Sequence, residues 1–468
     1  MPRPASKEVT RMKKQILSVI FAVAFLGTTL LAQKEQPPLG GSPKDFTVPA
    51  YKTMTLTNGM KVTLIPYGKT PKASVRLMVR TGSLNEPAGQ VWISDLAADM
   101  LLEGTKTRSG QALAEEVASF GGELSASAGT DQSQLGADVL SEFTPNLIKL
   151  MGDILNNPRF DAKDFERIKG NYLTDLAVAQ TTPDAIADKE LYKLVYGDHP
   201  YGVTQPAEEA LKAYTVDQAR KYHEDNFGAK RAHLYISGVF DEKAVVKAIE
   251  ETFNGWKAGN DVLINPAKID VVKKFSLIDR PGAKQSKIVY GIGTLDPSSS
   301  DYVKFMVMNS LLGGSFGSRI TSNIRENKGY TYSPGSGVMT RYRSGFWYEE
   351  ADVTSSVTGP ALKEIQFEIK RLGDETPGEA ELQGIKNYEA GVFVLRNSSR
   401  PGVIAQLNFI DFHGLSDDYL KTYVKKILET SPAEVSAMVK KYLPLDKFTL
   451  VIVGDKAVVE PQLKELGY

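Results

Sequence analysis

The sequence predicts an α+β fold of two homologous halves, each an antiparallel sheet packed with helices, which face each other as a clamshell. Two observations support this prediction. Strand-like alternation gives way to helical periodicity twice along the 468 residues. The apolar strand at 232–238 and the helix after it are echoed by a strand at 448–454 and its own helix, which indicates an internal repeat. A cleft between two such halves is the natural place for a ligand.

In the first half, Asn58-Gly59 lies between two alternating segments, and this dipeptide is the strongest short signal for a β-hairpin. Asp241 is suited to the N-cap of the helix that follows the strand at 232–238. A further strand is expected at 73–82, and helical periodicity predicts helices at 91–102, 110–120, 143–155, 161–178 and 241–253.

The second half repeats this outline after a connector rich in Gly, Asn and Pro. Strands are expected at 286–293 and 345–354, and helices at 301–312, 360–371, 378–392 and 401–415. The expected organisation is a signal peptide (1–32), a flexible linker (33–44), an N-terminal domain (45–258), a connector (259–270) and a C-terminal domain (271–468).

The N-terminal residues have the layout of a secretory signal peptide. A basic segment precedes an apolar run at 16–32, which gives way to a polar stretch rich in Pro and Gly. We expect cleavage after Ala32 and export to the periplasm. Because about 17 apolar residues is the lower limit of a membrane-spanning length, an N-terminal anchor on the periplasmic side is the alternative.

Composition excludes several classes of function. Lys plus Arg and Asp plus Glu number 56 each, so no net field attracts nucleic acid. The chain has no Cys, which excludes disulfides, thiolate zinc sites and Cys nucleophiles. None of its four His lies at ligand spacing to another. The sequence therefore offers few of the side chains that zinc prefers.

A helical segment carries Asp95 and Asp99 on one face, with Ala98 beside the second acid. Two acids at this spacing alone most often mark a solvated surface. The segment, however, resembles the inverted zinc-binding helix of the pitrilysin/insulinase-type zinc peptidases. In that family two His hold the metal and a Glu beside the second His activates water. The resemblance implies that Asp95 and Asp99 replace the His ligands and that Ala98 replaces the catalytic Glu.

The resemblance covers residues 45–468 and extends to the third ligand position, which is a Glu on a later helix of the family. Asp175 lies at that position, 76 residues after Asp99. Three carboxylates suit Mg²⁺, Ca²⁺ or Mn²⁺ better than zinc, and the missing base alone costs on the order of 10² to 10⁴ in rate. We therefore expect no metal, no cofactor and no catalysis on this chain alone, with a carboxylate-metal hydrolase as an alternative.

A second group of family residues is intact in the C-terminal half. A Gly-rich segment at 313–318 leads into Arg325, Glu326 and Tyr332. This resembles the family's Gly-rich turn and its Arg-Glu-Lys-x-Gly-x-x-Tyr-Ser segment, with Asn327 in place of the Lys. The resemblance implies that Arg325 and Tyr332 bind the substrate backbone and stabilise the oxyanion, since both offer donors to a carbonyl that becomes negative. The alternative is that Arg325 pairs with an acid and Tyr332 packs in the core. The Gly-rich segment lacks the Lys of a phosphate loop.

Ser125, Ala126 and Ser127 lie in a segment that resembles the family strand whose free edge receives the peptide substrate. Small side chains and an accessible edge are what such backbone pairing needs. An ordinary strand is the alternative.

Some mitochondrial-processing-peptidase-like members of the family pair a zinc-bearing chain with a zinc-less one. The resemblance therefore implies a non-catalytic subunit of a heterodimeric peptidase, in which Arg325 and Tyr332 act on a peptide while zinc lies on the partner chain. The expected partners are that zinc-bearing chain and the peptide substrate, with a homo-oligomer as a further arrangement and no nucleic acid. A peptide-binding or scaffold protein without catalysis is the alternative function.

Overall fold

Two sheets, each covered by helices, make up the part of the chain that the computed structural model describes, which is residues 47–468. The expected signal peptide (1–32) and linker (33–44) lie outside the described residues. The expected halves, 45–258 and 271–468, each contain one whole sheet. The mixed α and β content and the two halves confirm the predicted fold class.

The first sheet has six strands. They are β1 (Lys52–Thr55), β2 (Lys61–Pro66), β3 (Lys72–Val79), β4 (Ser125–Ala128), β5 (Ser133–Leu140) and β6 (Ala232–Gly238). Their order in the sheet is β1-β2-β6-β3-β5-β4. The predicted hairpin joins β1 to β2, and Gly59 at its turn has φ +94°, a conformation that glycine adopts without strain. The strand β4 is the last strand of the sheet.

The second sheet repeats this arrangement with five strands. They are β7 (Lys274–Asp279), β8 (Gln285–Thr294), β9 (Gly335–Arg341), β10 (Ser344–Thr354) and β11 (Thr449–Gly454). The order β7-β11-β8-β10-β9 matches β2-β6-β3-β5-β4 strand for strand. Each sheet is antiparallel except for one parallel pair, β2 with β6 and β7 with β11. A parallel pair needs a long connection, and each half supplies one of more than 150 residues.

The helices of the first half pack mainly on one face of its sheet. They are α1 (Ile93–Met100), α2 (Gly110–Ser119), α3 (Thr144–Asn156), α4 (Ala162–Ala179), α5 (Pro183–Tyr196), α6 (Glu208–Ala213), α7 (Val216–Asn226) and α8 (Glu242–Phe253). The backbone N–H of Ala244 donates to the Asp241 carboxylate at 3.0 Å, which confirms the predicted N-cap of α8.

The helices of the second half follow the same plan. They are α9 (Tyr302–Asn309), α10 (Thr358–Asp374), α11 (Glu379–Arg396), α12 (Arg400–His413), α13 (Asp418–Glu429), α14 (Pro432–Tyr442) and α15 (Lys456–Lys464). Two π-helical segments, Ser310–Gly314 and Thr321–Asn327, follow α9. Within residues 47–468, no helix combines the length and the apolar character needed to cross a lipid bilayer.

The two halves exchange helices. The helix α5 of the first half packs on β8 and β11 of the second sheet, where Leu191 joins a buried cluster with Val289 and Phe346. In return, α12 of the second half packs on β3 and β6, where Ile404 joins a buried cluster with Ile65. Each sheet therefore has one face covered by helices of its own half and the other face covered by the opposite half. This contact positions the cleft between the halves.

Candidate functional site

The helix α1 presents Asp95 and Asp99 toward the cleft while its apolar side is buried. Leu96 and Met100 are fully buried in the core of the first half, as expected for an amphipathic helix. Trp92 precedes the first turn with φ 73°, a left-handed conformation that is uncommon for a bulky residue. Its indole N–H donates to the Thr204 carbonyl at 3.0 Å, which holds the ring in place. The packing of α1 thus fixes where the two acids lie.

Asp99 is bound by a phenol. The Tyr172 hydroxyl, carried by α4, donates to Oδ2 of Asp99 at 2.9 Å. Burial raises the pKa of Asp99, while the bond from Tyr172 lowers it and the nearby Glu103 raises it. The pKa of Tyr172 is itself raised above its usual value by burial and by the negative charges of Asp99, Asp95 and Asp175. Asp99 and Tyr172 therefore form a contact between two helices.

Asp95 lies deeper in a low-dielectric environment. Burial and the neighbouring Asp99 raise the pKa of Asp95 to about 6. Just before α1, Glu86 accepts hydrogen bonds from the backbone N–H of Ser94 at 3.1 Å and from its hydroxyl at 2.6 Å. Burial raises the pKa of Glu86 to about 7. This acid was missed by sequence reasoning, because it precedes the helix and belongs to no motif.

The third predicted position is not part of this arrangement. Asp175 lies on α4 with an exposed side chain. In the described part of the chain, no three His, Cys, Asp or Glu side chains are placed to hold a metal ion together. Since Asp95, Asp99 and Asp175 are not placed to hold one ion together, they do not fit zinc, which takes three or four ligands.

A cavity of about 460 Å³ opens beside Asp95, between the two halves. Its volume is within the range of small-ligand sites. Its wall combines the end of β4, the helix α5 and the end of β9, and includes Asp95, Ala128, Gly129, Thr130, Asp188, Tyr192, Tyr201 and Arg341. The predicted edge residues are next to it: β4 has β5 as its single strand neighbour among the described residues, and Ser125 and Ser127 are exposed.

Arg325 and Tyr332 lie elsewhere on the second half. Arg325, in the second π-helical segment, has its guanidinium carbon 4.6 Å from the ring centroid of Phe316 and 4.7 Å from that of Tyr332. Its Nε is 3.2 Å from Oε1 of Glu326. Tyr332 is 79% exposed and Phe316 is 69% exposed, so Tyr332 does not pack in the core. Neither Arg325 nor Tyr332 is among the described residues that line the cavity beside Asp95.

Sequence reasoning missed Tyr172, Phe316 and Arg341. Tyr172 had a usable signal, since it lies three residues before Asp175 on a predicted helix and so shares part of its face. Phe316 lies inside the Gly-rich segment that was singled out for other reasons. Arg341 had no local signal, because its position depends on how β9 pairs at the edge of the second sheet.

Two models of known protein families match successive parts of this chain. Residues 61–205 match the sequence model described as insulinase (peptidase family M16), and residues 213–388 match the one described as peptidase M16 inactive domain. Together the two matches cover most of both halves.

Individual relatives have low sequence identity to this chain but align with most of its length. An uncharacterized zinc protease of Rickettsia bellii is 25% identical over 333 residues, which is 70% of this chain and 80% of the relative. A Helicobacter pylori protein named "Non-peptidase homolog YmxG" is 21% identical over 392 residues, 82% of this chain and 90% of that protein.

Solved structures show the same fold. The peptidase M16 inactive domain from Pseudomonas fluorescens aligns with a TM-score of 0.80 and 23% identity, over 86% of this chain and 98% of that one. A protease from Helicobacter pylori aligns with a TM-score of 0.81 and 18% identity, over 87% of this chain and all of that one. With the family matches and the altered residues of α1, these findings show that the chain belongs to the insulinase family, peptidase family M16, as an inactive member.

Proposed function

We propose that this chain is the non-catalytic subunit of a two-chain peptidase of the insulinase family. In this proposal a partner chain of the same family carries zinc and the water-activating Glu, and Arg325 and Tyr332 of this chain act on the bound peptide. The sequence of the first 32 residues supports export, so we place the pair in the periplasm.

The observation that carries the proposal is that Arg325 lies against two exposed rings, those of Phe316 and Tyr332. These contacts restrain the guanidinium, whose Nε pairs with Glu326 and whose terminal N–H groups have no ion-pair partner within residues 47–468. A fixed guanidinium and a phenol are suited to stabilise a carbonyl oxygen that becomes negative. Because the pair lies outside the cavity of its own α1, a peptide presented by a second chain can reach it.

The altered residues of α1 also support a catalytic site on the partner chain. Ala98 is buried and offers no base. Asp95 offers a carboxyl group at the position where the family carries an imidazole, and burial raises its pKa to about 6. The Asp99 carboxylate is held by Tyr172. None of the three residues does the chemistry of the family helix, so any hydrolysis has to take place on a partner.

The test is reconstitution. The chain is produced alone and together with a family member that has an intact zinc helix, and zinc content and peptide cleavage are measured. We expect no zinc and no cleavage from the chain alone, and cleavage from the pair. Arg325→Ala should lower kcat/KM of the pair by about 10² to 10³ without preventing assembly, as for removal of an oxyanion donor.

Arg343→Ala is the matched control, because Arg343 also stacks on a tyrosine ring, with 5.3 Å from its guanidinium carbon to the centroid of Tyr342. It should leave cleavage unchanged. Full activity of the pair with Arg325→Ala, or metal-dependent cleavage by the isolated chain, contradicts the proposal.

A peptide-binding protein without catalysis is the second candidate, and the cavity at the end of β4 favours it. An edge strand that leads into a cavity is suited to hold an extended peptide. The two candidates differ in one result, since a binding protein retains peptide affinity and function with Arg325→Ala.

A further inference from the structure

The cavity beside Asp95 contains a cation without an acidic partner. Of the described residues that line it, Arg341 at the end of β9 is alone in being cationic. Within residues 47–468 Arg341 forms no ion pair, and its Nε is buried with no hydrogen-bond partner. A buried donor without a partner is costly, so this guanidinium keeps unused donor capacity where it lines the cavity.

The surroundings of Arg341 hold its guanidinium in place without a direct ion pair. The guanidinium carbon lies 5.6 Å from the ring centroid of Tyr201. The phenol of Tyr201 donates to Asp131 at 2.5 Å, and the charge of Arg341 acts on this acid from beyond ion-pair distance, opposing the burial that raises its pKa. Arg341 also has a hydrogen-bonding neighbour in Tyr192, which lies on α5. A planar guanidinium held in this way is suited to bind a carboxylate through two parallel hydrogen bonds.

The other charges in the cavity limit the ligand to a weak anion. Asp95 and Asp188 both line the wall. Burial raises the pKa of both acids, and negative neighbours add to the effect, namely Asp99 for Asp95 and Glu350 for Asp188. The two acids would repel a multiply charged anion strongly, whereas they would repel a single carboxylate less.

The position of the cavity indicates what carries the carboxylate. Ala128 ends β4, and Gly129 and Thr130 continue the chain into the cavity wall. A peptide that pairs with the free edge of β4 is led into the same space, where Arg341 ends the edge strand of the second sheet. The two sheet edges therefore meet at this cavity.

We infer that this cavity binds a carboxylate of an extended peptide that pairs with β4, and that Arg341 is the residue that holds the carboxylate. The inference rests on the peptide binding in the proposed function and names the chemical feature by which the peptide is selected. The carboxylate can come from the C-terminus of the peptide or from an acidic side chain.

The experiment uses fluorescence anisotropy with peptides labelled at the N-terminus. One peptide has a free C-terminus, the second has the same sequence with a C-terminal amide, and the third is the amide with an internal Asp. Binding is measured with the wild-type chain and with Arg341→Gln, Arg341→Lys and Arg343→Gln. Arg343 is the control because it lies two residues further along and does not line the cavity.

We expect the wild type to bind a carboxylate-bearing peptide about tenfold or more tightly than the plain amide, as for a hydrogen bond to a charged group. Arg341→Gln should abolish this preference, Arg341→Lys should retain part of it, and Arg343→Gln should keep it. A preference for the free C-terminus alone identifies the terminal carboxylate, and equal binding of the Asp peptide identifies the side chain.

Equal affinity for all three peptides, an unchanged preference in Arg341→Gln, or no binding at millimolar peptide overturns the inference. The outcome is separate from that of the reconstituted pair. Arg325-dependent cleavage without any effect of Arg341 contradicts only this inference, while a carboxylate preference in a chain that activates no partner contradicts only the heterodimer.

Discussion

Tyr172 of α4 donates a hydrogen bond of 2.9 Å to Asp99 of α1, and so joins the two helices on which the family carries its metal ligands. The ring of Tyr172 also packs on Trp92, with 5.8 Å between ring centroids. The region that resembles a zinc site is therefore a packed and hydrogen-bonded contact in this protein. The Asp99 contact joins the two helices, and the charge of Asp95 contributes to the electrostatics of the cavity.

Tyr172→Phe removes the donor and leaves the half-buried Asp99 carboxylate without its hydrogen bond. We expect the free energy of unfolding at pH 7 to fall by about 1–3 kcal/mol, measured by urea denaturation. The control Tyr332→Phe removes a hydroxyl from an exposed ring and should change stability by less than about 0.5 kcal/mol. Equal stability of Tyr172→Phe and wild type would show that the bond contributes nothing.

Asp95→Asn should stabilise the protein in a way that depends on pH. The folded state raises the pKa of Asp95 to about 6, so it holds this proton more tightly than the unfolded chain, whose Asp pKa is about 3.9. The wild type therefore loses stability as pH rises from about 4 to about 6, and Asn does not.

The advantage of Asp95→Asn over wild type should grow from about pH 4 and level off near pH 7, on the order of 1–3 kcal/mol. The charge of Asp95 contributes to the raised pKa of Glu86, of about 7, so the substitution also removes this repulsion and extends the rise beyond pH 6. Asp175→Asn, an exposed control, should change stability by less than about 0.5 kcal/mol. A difference that is flat from pH 4 to pH 8 would contradict the assignment.

A polar contact between the halves should be lost in acid. Asp411 of α12 is 2.9 Å from Nζ of Lys61 and 3.3 Å from Nδ1 of His233 in the first half. Burial alone would raise the pKa of Asp411, but the bonds from His233 and Lys61 lower it below its usual value. A lowered acid pKa gives stability that is present above the unfolded value and is lost as pH falls below it.

Asp411→Asn should therefore be less stable than wild type at pH 7, by about 1 kcal/mol because the carboxylate is partly exposed and screened. The difference should be complete above about pH 5 and should shrink progressively as pH falls below about 4, where the unfolded Asp takes up its proton while the folded carboxylate stays ionised. Thermal or urea unfolding over this pH range measures it. A gap that widens toward low pH would refute the sign of the effect.

Phe316→Ala should lower the peptidase activity of the reconstituted pair, although Arg325 is still present. The ring of Phe316 holds one face of the guanidinium at 4.6 Å, and an exposed cation–π contact is worth about 0.5–1 kcal/mol. We expect kcat/KM of the pair to fall by roughly two- to fivefold. Phe367→Ala is the matched control, since this exposed ring contacts Arg371 at 5.5 Å and should have no effect on cleavage.

Local patterns predicted most of the first sheet and its helices. The hairpin at Asn58-Gly59 and the strand β6 follow from residues that are neighbours in the chain. The sequence analysis predicts no helix at 183–196, although Pro183 is favourable at the first turn of a helix. The strand β9 was missed because Gly and Ser interrupt its alternation.

Only the part of the candidate site that lies within one helix could be predicted from the sequence. Asp95 and Asp99 share one helix, so their proximity follows from spacing alone. The expectation that Asp175 would accompany them depended on the orientation of a distant helix, which spacing does not determine. The position of Arg341 in the cavity depends on the pairing of β9 with β10 and on the contact between the halves.

The exchange of α5 and α12 between the halves affects how this protein associates with another chain. Each half has a core of its own, but the clusters under α5 and α12 are built from both halves, and the segment at 254–273 that joins the halves contains no helix or strand. Separating the halves would expose the buried clusters under both helices to water, so a wide hinge motion is costly. The molecule therefore approaches a partner as a rigid block, and little conformational entropy is lost when the two associate.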